Sequence, residues 1–392
     1  MLNIFYWYGS IWSIVFILYE LGWSNYCTPL NGLTIVLFLS SIAVSFILGT
    51  IFRGWFNYNA YKDYLLINRN HSVTILIWIM AIADFVYSRD VPLISILAGK
   101  TQYTDFAGLP IVHTLLENLI IFYSAYLFYL FLESKNKGLL IETLSILSIL
   151  LLLFHKGALT FCIFSIVNLG VAKVKSVYGK LKPKTIVIII LLVFFVLYAN
   201  GGLTNLRSGV SWNNSAFPIA IGKINAKWPK WLPIQFSWAY TYIITPLGNL
   251  NLNITKFVPK KSVFGLILTI VPDYIVKRIF PGYQIKKGSA LLYTPILNAC
   301  TGFIESVENY GIGGMWYFFF AITIIMIILI SIRGNERYQF RSVYFSLLSM
   351  MMVVLFFYNT FSTAATSFLP LFILLEPYLS RVRFVFKGKD LP

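Results

Sequence analysis

The side chains that could act on a charged substrate are cations placed just beyond apolar runs. Arg207 ends the sequence Gly201-Gly202-Leu203-Thr204-Asn205-Leu206-Arg207. Glycines permit close approach of a ligand to the backbone, and an arginine can hold a phosphate through two parallel hydrogen bonds. Four further cations lie shortly after Pro272 or Pro281, namely Lys277, Arg278, Lys286 and Lys287. These positions predict a site for a phosphate or diphosphate group.

Anionic lipid headgroups are the alternative partner for such cations, at ~1 kcal/mol for each charge near the surface. Contact with lipid is the preferred interpretation for six lysines: Lys223, Lys227, Lys230, Lys256, Lys260 and Lys261. For Lys277, Arg278, Lys286 and Lys287 both partners remain open.

Ionisable residues inside apolar runs are functional candidates by default. His113 and Glu117 are four residues apart on one helix face, where they form either a proton relay or, more commonly, a helix-packing pair. Lys156 lies between two runs and is a further candidate for binding a diphosphate. For four acids near run ends, snorkelling or pairing with a basic neighbour is the preferred account: Glu20, Asp84, Glu142 and Glu376.

Several catalytic signatures are missing from the sequence. It contains no P-loop, no GxGxxG, no HExxH, no Asp-x-Asp and no paired-cysteine zinc spacing. These absences argue against an ATP-driven or nucleotide-sugar-dependent enzyme with a soluble catalytic domain. They also predict that the chain uses no metal and no cofactor.

The elements that must position these residues are transmembrane helices. The chain of 392 residues is 58% hydrophobic and 11% charged, with a mean hydropathy of +0.76, whereas a soluble domain carries roughly 25% charged residues. Continuous apolar runs near the ~20 residues that cross a bilayer recur along it. The predicted fold class is therefore all-α, a polytopic transmembrane helical bundle of about ten spans. The predicted spans are 4–22, 30–52, 72–88, 110–132, 139–154, 158–172, 185–200, 311–332, 342–358 and 366–380.

Basic residues in the short loops predict the orientation, because cytoplasmic loops carry an excess of Lys and Arg. Five lysines crowd the segment 173–184, which is predicted to be cytoplasmic. Alternation from this loop places the basic residues of 53–69, 135–137, 333–341 and 381–389 on the same side. Both termini are then cytoplasmic. The first run has no basic residue before it, so we expect a retained helix and not a signal peptide.

Residues 201–310 form a long segment that this orientation places outside the cytoplasm. It carries eleven basic and three acidic residues, a net charge of +8. A connector of this length is expected to be functional. Two apolar stretches within it, 231–247 and 263–276, are interrupted by Pro and Gly and predict re-entrant or interfacial helices, with a transmembrane hairpin as the alternative. We expect residues 1–392 to form a single membrane domain.

Several motifs resemble those of a known family. The first is Arg89-Asp90-Val91-Pro92-Leu93 with Tyr103-Thr104-Asp105-Phe106-Ala107-Gly108-Leu109-Pro110-Ile111-Val112-His113. The second is Tyr242-Ile243-Ile244-Thr245-Pro246-Leu247-Gly248-Asn249-Leu250. The third is Asn298-Ala299-Cys300-Thr301-Gly302 followed by Glu308-Asn309-Tyr310-Gly311-Ile312-Gly313-Gly314. In order and spacing they are similar to motifs of bacterial O-antigen polymerases of the Wzy type, the oligosaccharide repeat-unit polymerases.

This resemblance implies a C-type glycosyltransferase that works at the periplasmic face of the bacterial inner (cytoplasmic) membrane. Its substrates would be undecaprenyl-diphosphate-linked oligosaccharides, with the growing glycan as donor and a hydroxyl of a single repeat unit as acceptor. Arg207 matches the family's arginine beyond the long cytoplasmic loop. Arg89 joins Lys156 and the four later cations as a candidate for binding the diphosphate.

The general base stays open in this comparison. Related lipid-linked glycan ligases use a loop histidine, whereas residues 201–310 contain no histidine. The base would be Glu305, Asp273, His113 or His155, so the catalytic candidates are Arg207, Glu305, Asp273 and His113. The expected partners are the lipid bilayer, a chain-length regulator protein and a flippase, and no nucleic acid.

Three other classes compete with a polymerase. A flippase for lipid-linked oligosaccharides would also need cations for a diphosphate, but such transporters usually have internal repeats and short loops. An O-antigen ligase-like glycosyltransferase would share the donor chemistry. A non-enzymatic scaffold subunit would tolerate charge reversal at Arg207.

Overall fold

The computed structural model describes residues 2–59, 71–97, 106, 108–180, 183–256, 258–280, 290–333 and 340–379, without the side chains of 96, 97, 185, 192, 207 and 376–379. Helices make up the regular structure of this part of the chain, and an isolated bridge between Ser24 and Ile224 is its one β contact. The all-α fold class is confirmed.

The helices in chain order are α1 (Ile4–Glu20), α2 (Gly32–Ile51), α3 (Ser72–Ser88), α4 (Pro92–Leu97), α5 (Val112–Ser134), α6 (Lys137–Leu152), α7 (Lys156–Tyr178), α8 (Pro183–Arg207), α9 (Ala216–Gly222), α10 (Phe236–Lys256), α11 (Val263–Leu268), α12 (Asp273–Ile279), α13 (Ile304–Arg333), α14 (Arg341–Val354) and α15 (Leu369–Leu379). Short 3-10 turns occur at Arg53–Phe56 and Pro295–Leu297. Each of the ten predicted spans coincides with one of these helices.

In the part of the chain that the structure describes, five helices are long and apolar enough to cross a membrane: α2, α5, α7, α13 and, over Ile186–Leu206, α8. Three more, α1, α3 and α14, are apolar but have 17 residues or fewer. At 1.5 Å per residue, a helix of that length approaches the ~30 Å hydrocarbon core without exceeding it. The apolar helices indicate a membrane protein, and a total of ten crossings stays a prediction.

Helix α14 lies at the centre of the bundle. It packs on α1, α5, α7 and α13, and nearly all of its side chains are buried. Around it, α1 packs on α2 and α10, while α5 packs on α3, α6 and α7. Two hydroxyls fix its position, since Ser346 donates to Ser165 O at 2.9 Å and Ser349 donates to Leu2 O at 3.4 Å.

The bundle has two polar ends. At the one we call the site end, α3, α6 and α14 finish and α5, α7 and α13 begin. At the opposite end, Tyr58, Glu133 and Lys173 form one hydrogen-bonded group, and Asn59 N donates to Ser342 Oγ at 2.8 Å. Three of the predicted cytoplasmic cations, Lys173, Arg333 and Arg341, belong to helix ends at the opposite end. The membrane side that this end faces stays a prediction.

Helix α10 lies across the site end. Its first turns meet α8, where Trp238 Nε1 donates to Asn205 Oδ1 at 2.8 Å. Its later turns meet the start of α2, where Asn251 Oδ1 accepts from Asn31 N at 3.2 Å. The sequence predicted a helix at 231–247 and another at 263–276. The first prediction is wrong in its limits, and the second stretch forms two short helices, α11 and α12, because Pro272 ends the turn between them.

Helix α13 is broken near its start. Tyr310 and Gly311 have non-helical backbone angles, and Gly311 has a φ of 61° that side-chain-bearing residues rarely adopt. The predicted span began at residue 311, so the break separates that span from a short helical segment, 304–309. This segment presents Glu305 at the site end.

Candidate functional site

Glu305 is held by a polar segment, 355–368, that connects α14 to α15. Asn359 Nδ2 donates to Glu305 Oε2 at 2.9 Å, and Ser362 Oγ donates to Glu305 Oε1 at 3.1 Å. Asn359 also donates to Thr269 O at 2.6 Å. Asn359 and Ser362 are buried, while Glu305 itself is half-buried. These hydrogen bonds fix the direction of the Glu305 carboxylate.

Asp273 meets the same segment. Its backbone N donates to Ser362 O at 3.0 Å, and its side chain is buried. Lys277 and Arg278 follow on α12, four and five residues beyond Asp273, and both are exposed. The structure therefore brings together both predicted carboxylates and two of the predicted diphosphate-binding cations around α12 and segment 355–368.

Four titratable side chains form a second group, which we call the histidine–carboxylate cluster: Asp84, His113, Glu117 and His155. His113 Nδ1 lies 2.6 Å from Asp84 Oδ2, and His113 Nε2 lies 3.3 Å from Glu117 Oε1. His155 Nδ1 contacts the same oxygen of Glu117. The cluster joins the end of α3 to the starts of α5 and α7.

The two carboxylates of this cluster are buried, whereas the two imidazoles are partly exposed. The side chains of Asp84 and Glu117 are 0% and 5% exposed, against 28% and 26% for His113 and His155. Burying two carboxylates is costly unless they are paired and hydrogen-bonded. Leu109 N supplies a further hydrogen bond to Asp84 Oδ1 at 2.5 Å. The imidazoles are thus the parts of the cluster that could exchange a proton with a ligand.

Gly108 makes this arrangement possible. A Cβ at this position would lie 2.6 Å from His113 Cγ and 2.8 Å from Asp84 Oδ1, closer than real Cβ contacts. Phe106 also packs on this imidazole, with its ring centroid 5.7 Å from that of His113. The segment before α5 therefore encloses the pair and sets the direction of the imidazole.

Segment 355–368 connects the two groups. Tyr358 lies close enough to Glu117 for an electrostatic interaction, and its neighbour Asn359 donates a hydrogen bond to Glu305. Asn118, one residue after Glu117, donates to Ala364 O at 2.6 Å and accepts from Phe368 N at 3.2 Å. Glu305 and the histidine–carboxylate cluster are therefore fixed relative to each other through one segment.

The remaining predicted residues occupy several places. Arg207 is the last residue of α8, and its side chain lies outside the described part of the chain. Lys156 begins α7 beside His155, with its Nζ 5.5 Å from the centre of the Phe154 ring. Arg89 is exposed and ends α3 in a left-handed conformation. Lys286 and Lys287 lie outside the described residues.

Sequence reasoning undervalued three parts of the site. Of the two accounts expected for Asp84, snorkelling is wrong and pairing with a basic residue is what the structure shows, since Asp84 is buried against His113 of α5. Glu117 bonds both to His113 and to a histidine of another helix, so it is more than a packing partner within α5. The predicted spans 342–358 and 366–380 leave 359–365 as a connecting loop with no expected role, although its run of Asn, Thr and Ser between two apolar helices is a recognisable signal of a buried polar turn.

Cys300 is an unsuitable nucleophile. Burial raises the pKa of its thiol to about 12, and the nearby charge of Glu308 adds to this. Since the thiolate is the reactive form, Cys300 is inert at neutral pH. Among the described residues, no group of three or more His, Cys, Asp or Glu side chains is arranged to hold a metal ion.

Comparison with known proteins adds no relative to this description. No protein-family model matches the chain, and no curated protein and no solved structure is similar to it.

Proposed function

We propose that this chain is a membrane glycosyltransferase that polymerises undecaprenyl-diphosphate-linked oligosaccharide repeat units into O-antigen or a related surface polysaccharide at the periplasmic face. The observation that carries the proposal is the meeting of Glu305 and Asp273 on segment 355–368, beside exposed cations of α12. A carboxylate next to cations can supply both a general base for the acceptor hydroxyl and stabilisation for a departing diphosphate.

In the proposed reaction, Glu305 accepts the proton of the acceptor hydroxyl as its oxygen attacks the anomeric carbon of the donor glycan. The bond between that carbon and the diphosphate oxygen breaks, and the diphosphate leaves with the electron pair. Lys277, Arg278 and Arg207 stabilise the negative charge that develops on the leaving group, as preorganised cations do without a metal. The proton on Glu305 then passes to water.

The glutamate is the residue to test first. Purified protein in vesicles, supplied with lipid-linked repeat units and EDTA, should lengthen glycans, and the chain-length distribution is measured on gels. Glu305→Gln keeps the size of the side chain but removes the base, so we expect a loss on the order of 10²–10⁴ in rate. Glu20→Gln, at an exposed glutamate that ends α1, is the matched control and should be unaffected. Wild-type ladders from Glu305→Gln at equal abundance would contradict the proposed role.

A flippase for lipid-linked oligosaccharides is the second candidate function. The histidine–carboxylate cluster favours it, because proton-coupled transporters place Asp, Glu and His side chains between helices. The glycan pattern of cells that lack the protein separates the two functions. Single repeat units on the lipid core indicate a missing polymerase, whereas a complete absence of surface repeats indicates a missing flippase.

A further inference from the structure

Residues 223–233 form a basic and aromatic surface that the proposed reaction does not use. We call it the lysine–tryptophan platform. Its first residues are bound to the loop after α1, where Ser24 pairs with Ile224 and Asn25 N donates to Lys223 O at 2.9 Å. Asn225 Nδ2 donates to Gly22 O at 2.8 Å. The platform is therefore attached to the bundle and is not a free loop.

Aromatic rings form its inner side. Trp228 packs against Trp23 and Tyr240, with ring centroids 5.2 Å and 5.8 Å away. Trp228 Nε1 donates to Leu232 O at 3.1 Å, which closes the turn at Pro229. This turn directs Trp231 away from the protein, so the side chain of Trp231 is 79% exposed.

The outer side of the platform carries only positive charge. Lys223, Lys227 and Lys230 are exposed. The sequence has no acidic residue from 208 to 272, and Glu20 is the single acid of the neighbouring residues 20–31. An exposed tryptophan flanked by lysines is the combination found at membrane interfaces, where the ring lies among headgroups and the cations meet lipid phosphates.

Its position against α8 supplies an independent argument. Just after the platform, Gln235 O packs tightly on Gly201, and Phe236 lies 5.8 Å from the ring of Phe194. These residues of α8 are roughly 10–20 Å below the end of that helix at Arg207. Phe194 and Phe195 are 52% and 68% exposed on a helix apolar enough to cross a membrane. The platform therefore leads into α10 next to the exposed apolar surface of α8, which lipid must cover.

We infer that the lysine–tryptophan platform binds the anionic headgroup layer of the bilayer, with Trp231 inserted at the boundary between headgroups and acyl chains and Lys227 and Lys230 on lipid phosphates. Bound in this way, the platform would hold the start of α10 and the start of the long basic segment, 201–310, at a fixed depth in the bilayer. The inference does not depend on the proposed reaction.

Spin labels at three positions test the depth. In a Cys27→Ser background, single cysteines replace Phe195, Trp231 or Ser208, and the full chain is placed in vesicles of phosphatidylethanolamine and phosphatidylglycerol. Power saturation compares label accessibility to oxygen and to a water-soluble nickel complex. We expect the label at 195 to lie in the acyl region, the label at 208 in water, and the label at 231 between them. The ratio of oxygen to nickel accessibility should be severalfold higher at 231 than at 208. Equal ratios at 231 and 208 would overturn the insertion.

Lipid charge tests the lysines. In vesicles of phosphatidylcholine alone, the label at 231 should lie closer to water than in vesicles with phosphatidylglycerol. The double substitution Lys227→Gln and Lys230→Gln should abolish that difference. A depth that is the same in both lipid mixtures would overturn the binding of anionic headgroups, even if the label is inserted.

Discussion

At the scale of single residues, the site depends on polar side chains that fix Glu305. Asn359 and Ser362 each donate to one oxygen of this carboxylate, at 2.9 Å and 3.1 Å. Both donors come from a buried segment whose own backbone is bonded to α12. They are positioning residues, since they act on the proposed base and not on the substrate.

Removal of either donor should slow glycan polymerisation. A carboxylate that loses a hydrogen bond is no longer held in one direction, so Asn359→Ala and Ser362→Ala should each lower the rate by roughly tenfold at equal abundance, as measured from chain-length distributions on gels. Asn57→Ala, at an exposed residue of the opposite end, is the control. Wild-type rates in folded variants would exclude a positioning role.

Gly108 gives a test of the histidine–carboxylate cluster. In Gly108→Ala, the new methyl group would displace the imidazole of His113 or the carboxylate of Asp84. We expect a lower melting temperature and lower activity at equal abundance. Gly32→Ala is the matched control, because a Cβ there would meet no atom within 4 Å. If both variants behave like the wild type, the cluster is neither rigid nor needed.

At the scale of the helices, a buried ion pair joins α5 to α7 at the opposite end. Lys173 Nζ lies 2.8 Å from Glu133 Oε2, and Tyr58 donates to Glu133 Oε1 at 2.5 Å. The side chain of Glu133 is 4% exposed. Burial of the Tyr58 hydroxyl and its bond to Glu133 raise the pKa of Tyr58, so Tyr58 remains a neutral donor. Two helices and the loop after α2 therefore share one carboxylate.

Removal of that carboxylate should destabilise the packing of these helices. Glu133→Gln leaves Lys173 without its counter-charge, at a cost on the order of 3 kcal/mol. The combined substitutions Glu133→Leu, Lys173→Met and Tyr58→Phe remove all the polar partners and should recover most of the lost stability. The melting temperature in detergent measures both effects. An unchanged melting temperature for Glu133→Gln would mean that water solvates Lys173 and Glu133 and that their ion pair contributes little to stability.

At the scale of the whole molecule, the distribution of basic residues predicts an orientation. A cysteine in place of Ser208 should react with an impermeant reagent in cells whose outer membrane is permeabilised, and one in place of Tyr178 should not. The native thiols should give little background, because Cys162 and Cys300 are buried and burial raises the pKa of Cys27. Labelling of 178 but not of 208 would reverse the orientation.

The long apolar helices of this protein follow from local features of its sequence. Long apolar runs, Gly311 and Pro272 are local signals, and the ten predicted runs all form helices. His113 is a candidate because it is ionisable and lies inside an apolar run, whereas Glu305 and Asp273 are candidates through the family resemblance. Helix boundaries and ionisable residues inside apolar runs can be recognised in a sequence, because both are defined by residues that are close together along the chain.

Which of these residues meet depends on the packing of the folded chain. Glu305 and Asn359 are 54 residues apart, and Asp84 and His113 are 29 apart. Such pairs depend on which faces of the helices pack together. A soluble helix marks its packing face with a hydrophobic stripe, but these helices are apolar all round, so their sequences carry little of that information. The central place of α14 and the polar turn at 355–368 therefore became visible only in the folded chain.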